Sequence, residues 1–291
     1  MRIFTISLLF LSSISIFSQM PSTSIFSFDY EIEGDSLYLN QPTFLSSFNE
    51  DGYNNQPFFF SPREVYFSTN MYNDSLTEIA KIDLNSKRLY RITNTIESEY
   101  SPTLSPDPRF FSVVRIERNR RDQSLWLYPV DRSSYGRRLL ENLDNVGYHI
   151  WLSEEEVALF LVTRPISMVI ANVETGEYTT VLENIGRCLR LTQTGELLFI
   201  HKQSSNNWYI KSMDPETGSV KIITPTLTGK EDFEVLPDGS LIMGNGSELH
   251  RFIDRGINSK WQKVDDLSSL GIINISRMAI SEDKLILVDA K

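Results

Sequence analysis

Nucleophilic, metal and acid–base chemistry each leave a characteristic spacing of residues. A serine hydrolase carries its nucleophile on a strand-to-helix elbow written Gly-x-Ser-x-Gly. The 291 residues contain no such run; Ser134-Tyr135-Gly136 and Gly246-Ser247 read as turns. Cys188 is the sole cysteine, which excludes a disulfide framework and any multi-cysteine zinc site. No calcium loop of the Asp-x-Asp-x-Asp-Gly type occurs, and Asn49-Glu50-Asp51-Gly52 reads as a turn. No cofactor or metal is therefore expected. Acid–base work by paired carboxylates stays open, with Glu99 and Asp232 as candidates because each precedes or opens a strand that could face a channel. Arg118, Arg120 and Arg121 form a basic segment in an acidic chain, suited to a carboxylate or phosphate group.

Such residues act only where a scaffold holds them, and the scaffold is written as a repeat. A turn followed at once by a short apolar run occurs six times. Ser61-Pro62-Arg63-Glu64 precedes Val65-Tyr66-Phe67, and Leu236-Pro237-Asp238-Gly239 precedes Leu241-Ile242-Met243. The turns begin at 61, 105, 153, 192, 236 and 281, at intervals of 44, 48, 39, 44 and 45. Each run, rich in Val, Ile, Leu and Phe, reads as a strand buried on both faces. A further strand follows and tends to end in an acid, as at Asp83, Asp131, Asp214 and Asp254. A tight turn such as Pro215-Glu216-Thr217-Gly218 then leads to another strand.

Four antiparallel strands recurring at about 45 residues describe a propeller blade. The expected fold is all-β, a six-bladed β-propeller occupying residues 20–291 as one domain. The sixth unit holds only two strands, around Ile275 and Leu285 to Val288; Ile25 to Tyr30 and Leu37 to Leu39 supply the third and fourth. The last blade is thus closed by both ends of the chain, which removes an exposed sheet edge. Counted from the apolar runs of their own units (157, 197 and 241), His149, His201 and His250 fall at −8, +4 and +9. They belong to three different strands and cannot form a metal-binding ring.

A net charge of −10 speaks against nucleic acid, which demands concentrated positive charge. Met1-Arg2, the apolar run Ile3 to Phe17 and the small or polar Ser18-Gln19 have the layout of a secretory signal peptide over residues 1–19. That run is too short for a comfortable membrane span, and no other stretch approaches its length. The expectation is a periplasmic or secreted protein with no transmembrane segment in its mature chain.

The segments Asn55 to Asn70, Tyr100 to Ile116 and Phe233 to Asn245 carry a pattern Pro-x-x-Ser-Pro-Asp-x-(Arg or Gly) followed by an apolar strand. Tyr100-Ser101-Pro102-Thr103-Leu104-Ser105-Pro106-Asp107 is the nearest copy. This resembles the WD-like repeat of TolB-type propellers, although the tryptophan-aspartate pair of true WD repeats is absent. The resemblance implies a bacterial envelope scaffold that binds another protein, and implies no fixed catalytic set. Connections into the first strand and between the second and third share one face of a propeller, and loops held by strands carry recognition. That face is expected to display Asn55, Glu99, Tyr100, Tyr148, His149, Arg187, Asp232 and Asn274 around the channel mouth, with Arg118, Arg120 and Arg121 farther out. The reading is an exported protein-interaction or scaffold module whose partner is another envelope or secreted protein. The rival is an exported lyase or hydrolase acting on a carbohydrate or small ester at the channel mouth.

Overall fold

A computed structural model describes residues 20–73, 75–119 and 121–291. They form 24 strands in six four-stranded antiparallel sheets. Blade 1 is β3 (Asn54–Ser61), β4 (Glu64–Thr69), β5 (Glu78–Asp83) and β6 (Leu89–Arg91). Blade 2 is β7 (Ser98–Leu104), β8 (Phe110–Ile116), β9 (Gln123–Pro129) and the two-residue β10 (Arg137–Arg138). Blade 3 is β11 (Val146–Trp151), β12 (Glu156–Leu161), β13 (Ser167–Asn172) and β14 (Tyr178–Glu183). Blade 4 is β15 (Ile185–Leu191), β16 (Leu197–Lys202), β17 (Trp208–Met213) and β18 (Val220–Pro225). Blade 5 is β19 (Phe233–Val235), β20 (Leu241–Asn245), β21 (Glu248–Phe252) and β22 (Gln262–Asp266).

Blade 6 joins the two ends of the chain. Its order is β2 (Ser36–Phe44), β1 (Thr23–Glu33), β24 (Lys284–Ala290) and β23 (Ile275–Ile280). The β1–β24 ladder runs from Thr23↔Ala290 to Asp29↔Lys284 without a break. First strands of successive blades touch in turn, and β23 touches β3, so the ring closes. No helix among the described residues is long and apolar enough to cross a membrane.

The second strands hold the ring together. Val65 to Phe67, Val157 to Leu161, Leu197 to Ile200 and Leu285 to Val288 are buried throughout, because each sheet packs a neighbour on either face. Outer strands such as β14 and β18 are largely exposed. The acid at the end of the third strand has a local cause. Asp83, Asp131, Asp214 and Asp254 accept backbone N–H bonds from Ser86, Ser133, Glu216 and Gly256 at 2.7–3.0 Å, and Asn172 does the same for Glu174. Each starts an Asx turn that reverses the chain. At Gly218 (φ 69°) the fold-back after Asp214 needs the left-handed region, where a side chain would be strained.

Five of the six first strands are bulged, with register breaks at Asn55/Phe58, Tyr100/Thr103, Val146/Tyr148, Ile185/Leu189 and Ile275/Arg277. Bulges re-aim side chains, and here they turn polar residues toward the propeller axis. Gln56 (φ 55°) and Ser101 (φ 53°) take left-handed backbone in two of them. The Gln56 Oε1 accepts from Ser101 N at 3.0 Å and from Ser68 Oγ at 3.0 Å, which locks the two strained strands together. In blade 4 the bulge holds Gly186, where an added Cβ would stand 2.9 Å from the Cβ of Ile200.

Candidate functional site

The bulged first strands enclose a cavity of about 190 Å³ on the axis, to which all six blades contribute. Two layers of polar residues cross it. Nearer the mouth, Arg277 of blade 6 forms an ion pair with Asp232 of blade 5 at 3.1 Å. It also donates to the hydroxyl of Tyr148, in the opposite blade 3, at 2.7 Å, with its guanidinium 5.3 Å from the ring centre. This bridge spans the channel. Deeper, Arg190 Nε pairs with Glu234 at 2.7 Å, and another Arg190 nitrogen donates to the Met278 carbonyl at 3.1 Å. Phe58, Phe59, Ile150, Leu189 and Ile280 supply apolar wall between these groups.

Burial opposes the charge of Arg277, but Asp232 and the phenols of Tyr148 and Tyr53 outweigh it and hold its pKa above the ordinary value. Arg190 behaves likewise, with Cys188, Glu234 and Asp232 outweighing desolvation. For Glu234 desolvation wins and raises the carboxyl pKa, with Arg190 offsetting part of it. Burial pushes the Cys188 thiol up to about 12, and its Sγ lies 3.2 Å from the Phe233 carbonyl, so it is a packed, unreactive thiol. Burial alone pushes His149 down to about 3, so its ring is neutral at physiological pH. Its Nε2 lies 2.6 Å from Ser112 Oγ, which also accepts from the Trp151 indole at 2.9 Å.

The structure brings Tyr148, His149, Arg187 and Asp232 to this one cavity. The other expected residues lie elsewhere. Asn55 is half-buried beside the blade 1 bulge, and its Oδ1 accepts from Gln56 N at 2.7 Å. Tyr100 packs against the blade 2–blade 3 cluster and meets Tyr53 edge-on at 6.1 Å. Glu99 does not face the axis: it is 0% exposed and points between blades, where Thr93, Thr95 and the Tyr128 hydroxyl bond its carboxyl. Desolvation, reinforced by Glu78, pushes its pKa up to about 8. Asn274 stands exposed before β23 and binds the chain end, its N–H donating to Asp289 at 2.7 Å and its carbonyl accepting from Ala290 at 3.0 Å.

The basic segment lies on the β8–β9 connection, away from the cavity. Arg118 pairs with Glu97 at 2.9 Å, Arg121 is exposed, and Arg120 lies outside the described residues. Arg115 at its base pairs with Glu117 at 2.9 Å and lies 3.2 Å over the Trp126 ring. Arg115 and Arg118 are thus already matched. Arg190, Glu234 and Arg277, which build the cavity, were not singled out from the sequence. The available signal was a charged residue inside an otherwise apolar first strand.

The three histidines fall on β11, β16 and β21, the first, second and third strands of their blades. They are well separated, as their phase in the repeat requires.

No protein-family model matches the chain, and no curated protein matches it in sequence. Among solved structures it is similar to a putative TolB from Agrobacterium tumefaciens, with a TM-score of 0.66 at 11% identity over 93% of this chain and 99% of that one. It is similar to TolB from Acinetobacter baumannii, TM-score 0.60 at 13% identity, over 92% of this chain and 64% of that one. The oligogalacturonate lyase of Vibrio parahaemolyticus superposes at a TM-score of 0.50 and 11% identity, over 92% of this chain and 98% of that one. The fold is therefore a TolB-like six-bladed β-propeller. At these identities the likeness concerns the fold, on which function is not inherited automatically.

Proposed function

We propose that the chain is an exported interaction module of the periplasm or cell envelope, holding another protein against the mouth face of its propeller. The observation that carries this reading is a set of exposed apolar side chains spread round that face. Ile96, Val162 and Ile273 are 67%, 51% and 60% exposed, and each lies on a mouth-face connection. Arg118 and Arg121 rise from another connection of the same face. Exposed apolar and arginine side chains spaced round one face suit contact with another protein. The TolB-like fold is consistent with the reading.

The test is affinity capture from an envelope fraction with tagged residues 20–291, beside a variant carrying Ile96→Asp, Val162→Asp and Ile273→Asp. A partner retained by the parent and lost by the equally stable variant supports the module. Capture that ignores the three substitutions would contradict it. Export is tested by mass measurement of the protein from its native cells. A mature N-terminus near Gln19 or Met20 is expected, and an intact Met1 would refute processing.

A catalytic reading draws on the convergence of His149, Arg187 and Asp232 in one cavity, and on sharing a fold with a lyase. Against it, burial holds the His149 pKa down to about 3, too low for proton transfer near neutral pH, and Tyr148 and Arg277 already bond each other across the channel. Glu99, the second carboxylate considered for acid–base work, is buried between blades and away from the cavity.

A further inference from the structure

We propose that the axial cavity binds a small monoanionic hydroxy acid with a short apolar body, its carboxylate held by Arg187. The proposal goes beyond the interaction reading and does not depend on it, because the cavity is lined by first strands and not by the exposed apolar residues of the mouth face.

Charge is the first argument. Three guanidinium groups line the cavity, Arg187, Arg190 and Arg277, against two carboxylates, Asp232 and Glu234. Arg190 is committed to Glu234 and Arg277 to Asp232. Arg187 is the unmatched cation: among the described residues its side chain makes no ion pair or hydrogen bond, and its Nε is buried and unpartnered. A guanidinium so placed is a fork for one carboxylate.

Unsatisfied polar atoms are the second argument. Asp232 is 8% exposed, yet its Oδ1 has no donor; His149 is 7% exposed, and its Nδ1 has no partner. Buried polar atoms in folded proteins are nearly always paired. The carboxylate oxygen needs a donor that an anionic acid group cannot supply, but an adjacent hydroxyl can. Hence the ligand carries both groups.

Size is the third. An apolar cavity of about 150 Å³ holds a benzene ring, and this one measures about 190 Å³ with apolar wall from Phe58, Ile150 and Leu189. A four- or five-carbon acid fits. Gln56, Tyr148 and Arg187 are only half-buried, which leaves a route in from the mouth.

The experiment is calorimetric titration of residues 20–291 with 2-hydroxy-3-methylbutyrate, its amide, and 3-methylbutyrate, repeated on Arg187→Gln. Saturable one-to-one binding of the hydroxy acid is expected. The amide and the Arg187→Gln variant should each bind at least tenfold more weakly, and 3-methylbutyrate several-fold more weakly. Arg187→Gln should melt with the parent, since its side chain holds nothing else; if it fails to fold, the acid–amide comparison on the parent decides alone. Absence of saturable binding at millimolar hydroxy acid, or equal binding of acid and amide, would overturn the proposal.

Discussion

Replacing Glu99 by Gln should make the propeller more stable at neutral and alkaline pH and cost about 1 kcal/mol in acid. Glu99 is fully buried between blades 1 and 2, with Glu78, itself 1% exposed, as a like-charged neighbour. Its carboxyl pKa rises from 4.5 to about 8, through desolvation first, and Thr95, Thr93 and Arg115 offset only part of this. The folded state thus holds its proton more tightly than the unfolded state. The stabilising contribution is complete below the unfolded pKa and is lost as pH rises toward the folded one. Each pH unit within that window is worth about 1.4 kcal/mol. Between pH 4.5 and 7 the loss is on the order of 3 kcal/mol for a group with this shift. Glutamine keeps the shape and one acceptor but cannot ionise. It loses one bond among Thr93, Thr95 and Tyr128, a pH-independent cost of about 1 kcal/mol. Urea unfolding of both proteins from pH 4.5 to 9 isolates the effect, because groups remote from Glu99 cancel in the difference. The stability of Glu99→Gln minus that of the parent should climb steadily with pH and level off above pH 8. A flat difference would refute the reasoning.

Three further outcomes follow from the packing. Arg277→Met should cost about 3–5 kcal/mol in a denaturation curve, because it leaves Asp232 buried without its cation; a loss below 1 kcal/mol would show that the channel bridge is not structural. Gly186→Ala should cost about 1–3 kcal/mol, since its Cβ would press on Ile200; an unchanged melting temperature would contradict the close approach. Deleting residues 24–39 should abolish cooperative unfolding, because β24 loses its whole ladder with β1; a soluble protein of normal stability would disprove closure by both chain ends.

The blades were legible because their signals are local. A run such as Val157 to Val162 is apolar on both faces of the strand, and only a strand between two sheets meets that environment. The acid ending most third strands and the glycine of Pro215-Glu216-Thr217-Gly218 work through turns of four or five residues, so their meaning is complete within the segment. Blade 6 could be read because its missing strands had an evident source in residues 25–39.

The cavity was only half legible, because bulges decide which side chains reach the axis. The register break after Tyr100 sends Ser101, Pro102 and Thr103 inward and leaves Glu99 between blades. Strand phase alone made Glu99 and Asp232 look alike, though only Asp232 lines the channel. Arg277 escaped notice because its two partners, Asp232 and Tyr148, are 45 and 129 residues away in sequence. Nothing local announces such a contact. The Arg118 pair is equally non-local, since Glu97 answers it from a different connection.

If the mouth face of the propeller holds a partner protein, that face is shielded when the partner is bound. Hydrogen exchange on residues 20–291, alone and after incubation with the native envelope fraction, measures that shielding. Added protection is expected only at the mouth-face connections around Ile96, Val162 and Ile273, with the turns at Gly176 and Gly218 on the opposite face unchanged. Protection on that opposite face, or none anywhere, would contradict it.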